Sequence, residues 1–488
     1  MANLRPRRPV MPSFREVRQR VRRYRPTDLL PALASVSCRI SDPGPDSLAR
    51  WRQLSPWGLA ALARESVVSG TEHRGALTVN DGDVHALHNL FVRSYDQPPA
   101  DERDVTLGIV SRHAYEQFPY QESEAEELAR TWALLRHALP ITATEHLTPA
   151  DVDALVGGPL QDVLRATWLL YGSTHSGAGL WEPEWWRTDE SRLLTTLTSP
   201  DRVIVLADDL TADFDTLRAD HARVAVPPRH LLRWDYNPLH RYPLARLPDG
   251  RVIAPQPRLV LRRMSPGGLY YTGIDRLGGW FPSDLGKVVE QYVGMNLRSV
   301  NGTLVEGEIH YDKGGKLSVD WFWQHGDMLV LLEVKAMRAA LGARIGAPGF
   351  TTDLTKRLDV AVWQLNRSAS LIDDRHPSFT HLPAGATRVG LIVTAEPIYS
   401  GNSTGLRKHL APTTMPTLIV SLRDLERLVA HEAATIFAAL RRIASDPALS
   451  AWLLSSAMSE VLTAELGPGP LLRQALTEIN IDPPADVC

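Results

Sequence analysis

The sequence predicts an α/β protein. Its C-terminal part reads as helix, three strands, helix and strand, preceded by a mainly helical N-terminal module with a β-rich section. Three observations carry this expectation. Residues 281–300 place Leu285, Val288, Val289, Tyr292, Val293 and Leu297 at helical spacing, and a second helical stretch covers about 353–372. Residues 318–336, SVDWFWQHGDMLVLLEVKA, set two apolar, β-rich runs on either side of His325-Gly326-Asp327, a hairpin signal. The short apolar runs 388–395 (RVGLIVTA) and 417–421 (TLIVS) read as buried strands.

Taken in order, the chain opens with nine arginines and one acid, Glu16, in residues 1–25. Phe14, Val17, Val21 and Tyr24 fall on one helical stripe there, which suits either a docked surface helix or a basic arm laid along phosphates. Ser41-Asp-Pro-Gly-Pro-Asp46 reads as a linker. Helices are expected at 57–69, 84–95, 123–139, 148–156 and 160–171; the aromatic-dense stretch Trp168 to Trp186 suits base stacking but is read first as core and loop packing. Strands are expected from there: 203–207 (VIVLA), then 242–247 and 251–255 around the turn Pro248-Asp-Gly250. His230, Arg233, His240, Arg241, Arg246, Arg258, Arg262 and Arg263 make this section basic, suiting a solvated face or a nucleic-acid contact.

The helix at 281–300 has Ser283 or Asp284 as its expected N-cap, and a strand at 303–311 follows. After the last strand come amphipathic helices at 424–442 and 447–466, a break at Gly467-Pro-Gly-Pro470, and a short polar tail. The expected domains are 1–46, a basic arm and linker; 47–275, the N-terminal module; 276–445, the αβββαβ core; and 446–488, a C-terminal helix and tail.

The hairpin carries the chemistry. With Gly326 and Asp327 as a type II′ turn, His325 pairs with Met328, Trp323 with Val330, and Asp320 with Glu333. Side chains alternate along a strand, so Lys335 projects on the same face as both carboxylates. Like charges facing each other across a sheet destabilise it, and burial among apolar residues raises that cost. A divalent cation held between the carboxylates relieves the repulsion, and oxygen ligands favour Mg²⁺, with Mn²⁺ as a substitute. Such a site also orients a water and neutralises charge on a phosphodiester. The alternative is a surface hairpin whose Glu333 and Lys335 simply pair at the sheet edge.

Gly286-x-x-x-Glu290 on the first helix, Asp320, Glu333-Val334-Lys335, and Gln364-Leu365 on the second helix occur in that order. In this the stretch 279–425 resembles the PD-(D/E)xK nuclease superfamily, the restriction-endonuclease-like fold. The resemblance implies that Asp320 and Glu333 bind the metal and that Glu290 supports it or its waters. Lys335 would activate water and hold the scissile phosphate, and Gln364 would position the substrate or the lysine. The residue before Asp320 is Val319 rather than proline, a departure common in the superfamily. The implied activity is Mg²⁺-dependent hydrolysis of nucleic acid, DNA in preference to RNA, in bacterial restriction, anti-phage defence or DNA repair. The alternative is an inactive nucleic-acid-binding or scaffold protein that keeps the fold.

Composition bounds the rest. Lys plus Arg number 53 against 56 Asp plus Glu, a net charge of −3, so affinity for nucleic acid must come from local patches. Two cysteines, Cys38 and Cys488, exclude a disulfide framework and a cysteine-based zinc site, which suits a cytoplasmic location. No apolar run approaches a membrane span or a signal-peptide core, so no membrane partner is expected. The sequence holds no GxxxxGK[ST] loop, so any ATP-driven action requires a partner ATPase or helicase. Homo-oligomerisation is left open.

Overall fold

The structure, a computed structural model, describes residues 11–41, 50, 53–73, 78–99, 103–313, 315–462 and 467–481. It is mixed α/β and divides into two compact units, each assembled from separated segments. The first holds Met1–Glu102, Glu116–Gln121 and Arg165–Met264; the second holds Arg103–Tyr115, Glu122–Leu164 and Ser265–Cys488. No helix among the described residues is long and apolar enough to cross a membrane. The expected linker lies, beyond Ser41, outside the described residues.

In the first unit, Phe14, Val17 and Val21 of the helix Phe14–Val21 bury completely, together with Tyr24, in a core shared with Leu29, Leu62 and Phe91. The N-terminal helix is therefore docked, and Arg18 on it pairs with the buried Glu65 at 2.7 Å. Residues 1–10 of the basic arm lie outside the described residues. Trp181 and Trp186 are buried, as packing predicts.

Two expectations fail in this unit. The stretch 203–207 is helix, Pro200–Asp209, not strand. Val203, Leu206 and Ala207 bury at helical spacing while Val205 is 58% exposed, and the Ser199 hydroxyl caps the start by accepting the Arg202 N–H. The basic section is also not one open face. His230, Arg233, Arg258 and Arg263 are buried, and Arg233 forks onto Glu116 at 3.0 Å while stacking over Phe91. The expected hairpin does form: Leu244–Arg246 pairs antiparallel with Val252–Ile253.

The second unit is built on a five-stranded sheet. Helix α1 (Phe281–Arg298) precedes β1 (Leu304–Gly307), β2 (Trp321–His325) and β3 (Met328–Lys335). Helix α2 (Phe350–Asp373), β4 (Thr387–Thr394) and β5 (Thr417–Ser421) follow. The spatial order is β5-β4-β3-β2-β1. β3, β4 and β5 run parallel, and β2 and β1 add antiparallel at the other edge. Strand β3 is buried from Met328 to Val334, as a strand covered on both faces must be.

Alternation divides the covering between helices. Phe322, Leu329, Leu331, Ile392 and Ile419 share a core with Leu354, Leu358, Ala361 and Leu365 of α2. On the opposite face Trp323 packs edge-on to Phe437 of the helix Ala433–Ser445, with ring centroids 4.8 Å apart. Trp321 packs against α1 so closely that a Cβ on Gly294 would stand 2.3 Å from its ring, and its indole N–H donates to the Glu290 carbonyl at 3.2 Å.

Three boundaries depart from expectation. Helix α1 starts at Phe281, ahead of Ser283 and Asp284. Asp284 is instead buried and accepts the backbone N–H groups of Glu145, His146 and Leu147 at 3.1, 2.7 and 2.8 Å. Burial raises that carboxyl, but the three donors outweigh it and hold it below the usual range. The stretch 424–442 forms two helices, Leu422–Leu428 and Ala433–Ser445, and the described part of 447–466 holds a 3-10 turn, Leu449–Ala451, and the helix Leu454–Val461. The expected polar tail holds a helix: Pro470 opens Pro470–Ile479, which buries Leu472, Ala475 and Ile479.

Candidate functional site

The site forms where β3 reaches its carboxyl end. The hairpin turn is as tight as the sequence requires: Gly326 takes φ +56, and Asp327 stays out of the left-handed region. This fixes the pairs His325 with Met328, Trp323 with Val330 and Trp321 with Leu332. One step further, the same register sets Asp320 opposite Glu333. Asp320 lies just outside β2, and its Oδ2 accepts the Val334 N–H at 2.6 Å.

Lys335 stands two residues beyond Glu333 on the same face. Its Nζ donates to Glu333 Oε1 at 2.5 Å and to Gln364 Oε1 of α2 at 2.8 Å. Glu333 is 1% exposed, and its other oxygen, Oε2, is buried with no hydrogen-bond partner among the described residues. Three of the expected residues, Glu333, Lys335 and Gln364, are thus in direct contact. Asp320 joins them through the strand backbone. Glu290, on α1, is half-buried, and its side chain acts on Asp320 and Glu333 through its field.

The electrostatics are those of too many acids for one lysine. Asp320 is pushed well above the usual carboxyl range, first by burial and then by the charges of Glu333 and Glu290; the Val334 N–H and Lys335 oppose this. Glu333 is pushed up to about 7, again mainly by burial, with Lys335 pulling down and Glu290 and Glu308 pushing up. Glu290 is raised by burial and by Glu308, and Glu308 by burial. A buried carboxylate surplus of this kind favours proton uptake or a bound cation.

Glu308 is the member that the sequence reading missed. In the β1–β2 register Glu306 faces Phe322, so one step past the end of β1 Glu308 comes level with Asp320. The charge of Glu308 acts on the site directly, pushing both Glu290 and Glu333 upward.

No family model, no curated protein and no solved structure matches the chain. The donor set must therefore speak for itself. Among the described residues, no group of three or more His, Cys, Asp or Glu side chains is arranged as a metal cage. Mg²⁺ does not demand one, since it keeps several waters and commonly takes one or two protein carboxylates plus substrate phosphate. Asp320 and Glu333, with the partnerless Glu333 Oε2, fit that sparse mode of binding. They fit zinc poorly, as neither histidine nor cysteine stands among them.

Proposed function

We propose that this chain is a metal-dependent nuclease that hydrolyses phosphodiester bonds of nucleic acid, DNA first, on a restriction-endonuclease-like core. The observation that carries the reading is the Lys335 ammonium held between Glu333 and Gln364 beside a buried carboxylate surplus. Four motifs between Gly286 and Leu365 supply these groups from β3, the residue just ahead of β2, and two helices.

Asp320 and Glu333 are the residues that would hold the ion, with Glu290 and Glu308 orienting its waters. Bound there, Mg²⁺ would polarise the phosphate and lower the pKa of a coordinated water. Lys335 has three N–H donors and places two of them on Glu333 and Gln364. The third is left for the attacking water or a non-bridging phosphate oxygen. Gln364 fixes the lysine's direction, which favours the lysine-positioning role over direct substrate contact. The second reading, an inactive nucleic-acid-binding protein with the same core, is favoured by the lack of a three-ligand group among the described residues.

Incubation with linear, circular and single-stranded DNA and with RNA, in Mg²⁺, Mn²⁺ or chelator, separates the two. Metal-dependent cleavage that is lost in Asp320→Ala and Lys335→Ala supports the nuclease. Binding without cleavage under every condition supports the inactive protein.

A further inference from the structure

Resting on the nuclease reading, we propose that the outer face of α2 is a binding track for single-stranded nucleic acid, with Trp363 as the platform on which a base stacks. Lys356, Val360, Trp363 and Arg367 recur at i, i+4, i+7 and i+11, which places them on one stripe of the helix. That stripe is the side turned away from the core residues Leu354, Leu358, Ala361 and Leu365. Val360 is 52% and Trp363 61% exposed, so the largest apolar side chain of the helix faces water. Val360 and Trp363 are neighbours at i and i+3 on that stripe, so the exposed apolar surface is a contiguous pair rather than a lone side chain.

The charges around it say what would cover it. Lys356 and Arg357 are exposed and make no ion pair among the described residues. Among the described residues Arg367 is engaged by the ring of Tyr311, 5.9 Å from its centroid, and by no carboxylate. The acids on the exposed side are Asp353 in the first turn and Asp359 at the flank, and Asp359 already accepts the Ala411 N–H at 2.7 Å. Cations that no carboxylate pairs among the described residues, set around an exposed indole, suit a chain that carries both phosphates and flat apolar rings. A duplex offers the phosphates but keeps its ring faces stacked inside, whereas a single strand offers both.

The track also leads to the chemistry. Arg357 and Gln364 are seven residues apart and therefore nearly in line, about 10 Å along the helix axis. Gln364 holds Lys335. A strand lying along α2 would thus pass from Arg357 toward the carboxylates without leaving the helix.

The test is anisotropy of a fluorescein-labelled oligothymidylate, and of a labelled duplex, titrated with the full chain in chelator so that no cleavage occurs. Trp363→Ala should weaken oligothymidylate binding about tenfold and duplex binding much less. Trp363→Phe should keep most of the affinity. Lys356→Ala and Arg367→Ala should each flatten the salt dependence, by about 0.7 in log–log slope. Unchanged oligothymidylate binding by Trp363→Ala overturns the proposal. So does a change in that variant's oligomeric state by light scattering with oligonucleotide affinity intact, which would make the face a contact between copies. Metal-dependent cleavage that persists while these variants bind normally rejects the track and leaves the nuclease standing. Absence of both binding and cleavage in the wild type rejects both.

Discussion

Glu333 gives the sharpest quantitative expectation, because its carboxyl is raised from 4.5 to about 7. Between those values the folded chain binds more protons than the unfolded one, so metal-free stability falls as pH rises and levels off above about 7. At about 1.36 kcal/mol per pKa unit the whole effect is on the order of 3 kcal/mol, most of it falling between pH 5 and pH 8. Glu333→Gln removes the titration and keeps an oxygen to accept from Lys335. Urea unfolding in chelator, followed by the summed fluorescence of the chain's 13 tryptophans, reads the stability. Wild type should lose more stability than Glu333→Gln on moving from pH 5 to pH 8, by roughly 2–3 kcal/mol. Equal losses would show that Glu333 ionises without strain, and the carboxylate-surplus argument would fall.

Two further outcomes follow from the packing. Gly294→Ala drives a methyl into the Trp321 ring and should lower stability by about 1–3 kcal/mol in thermal melts; an unchanged melt would mean that α1 does not hold the hairpin. Gln364→Ala releases one hold on Lys335, so kcat should fall roughly tenfold with Mg²⁺ dependence unaltered, since a positioning role acts on the rate of the chemical step. A rise in KM alone would instead make Gln364 a substrate contact.

How much of this was legible in the sequence varied with how local the cause was. The hairpin register needed only Gly326, the alternation of apolar residues and a two-residue turn, and the pairs of Trp323 with Val330 and His325 with Met328 came out as read. Helices α1 and α2 were legible from their spacing. The stretch 203–207 misled because Val, Ile, Val and Leu favour a strand by composition, while Ser199-Pro200 just ahead gives a helix start. Asp284 looked like a cap because it stands near a helix start, but its partners are backbone donors at 145–147, more than a hundred residues away.

Glu308 was hidden for a related reason. Its level with Asp320 depends on the β1–β2 register, which is set across the connection from 308 to 320 and not by a tight turn. The burial of Arg233 rests on Glu116, a partner no local pattern reveals. The docked helix at Phe14–Val21 also changes one experiment: removing residues 1–25 would strip Phe14, Val17, Val21 and Tyr24 from the core, so that deletion measures stability before it measures any contact with phosphates.

The central claim is that Asp320 and Glu333 together receive a divalent cation, and the melting temperature in Mn²⁺ tests it without any substrate. A ligand that binds only the folded state stabilises it by about 2.7 kcal/mol at a hundredfold excess over its Kd. Wild type should therefore melt higher in millimolar Mn²⁺ than in chelator. Asp320→Asn removes one of the opposed charges and keeps an oxygen for the Val334 N–H. It should melt at or above wild type in chelator and lose most of the Mn²⁺ response. Equal Mn²⁺ shifts in wild type and Asp320→Asn would place the ion elsewhere and contradict the account.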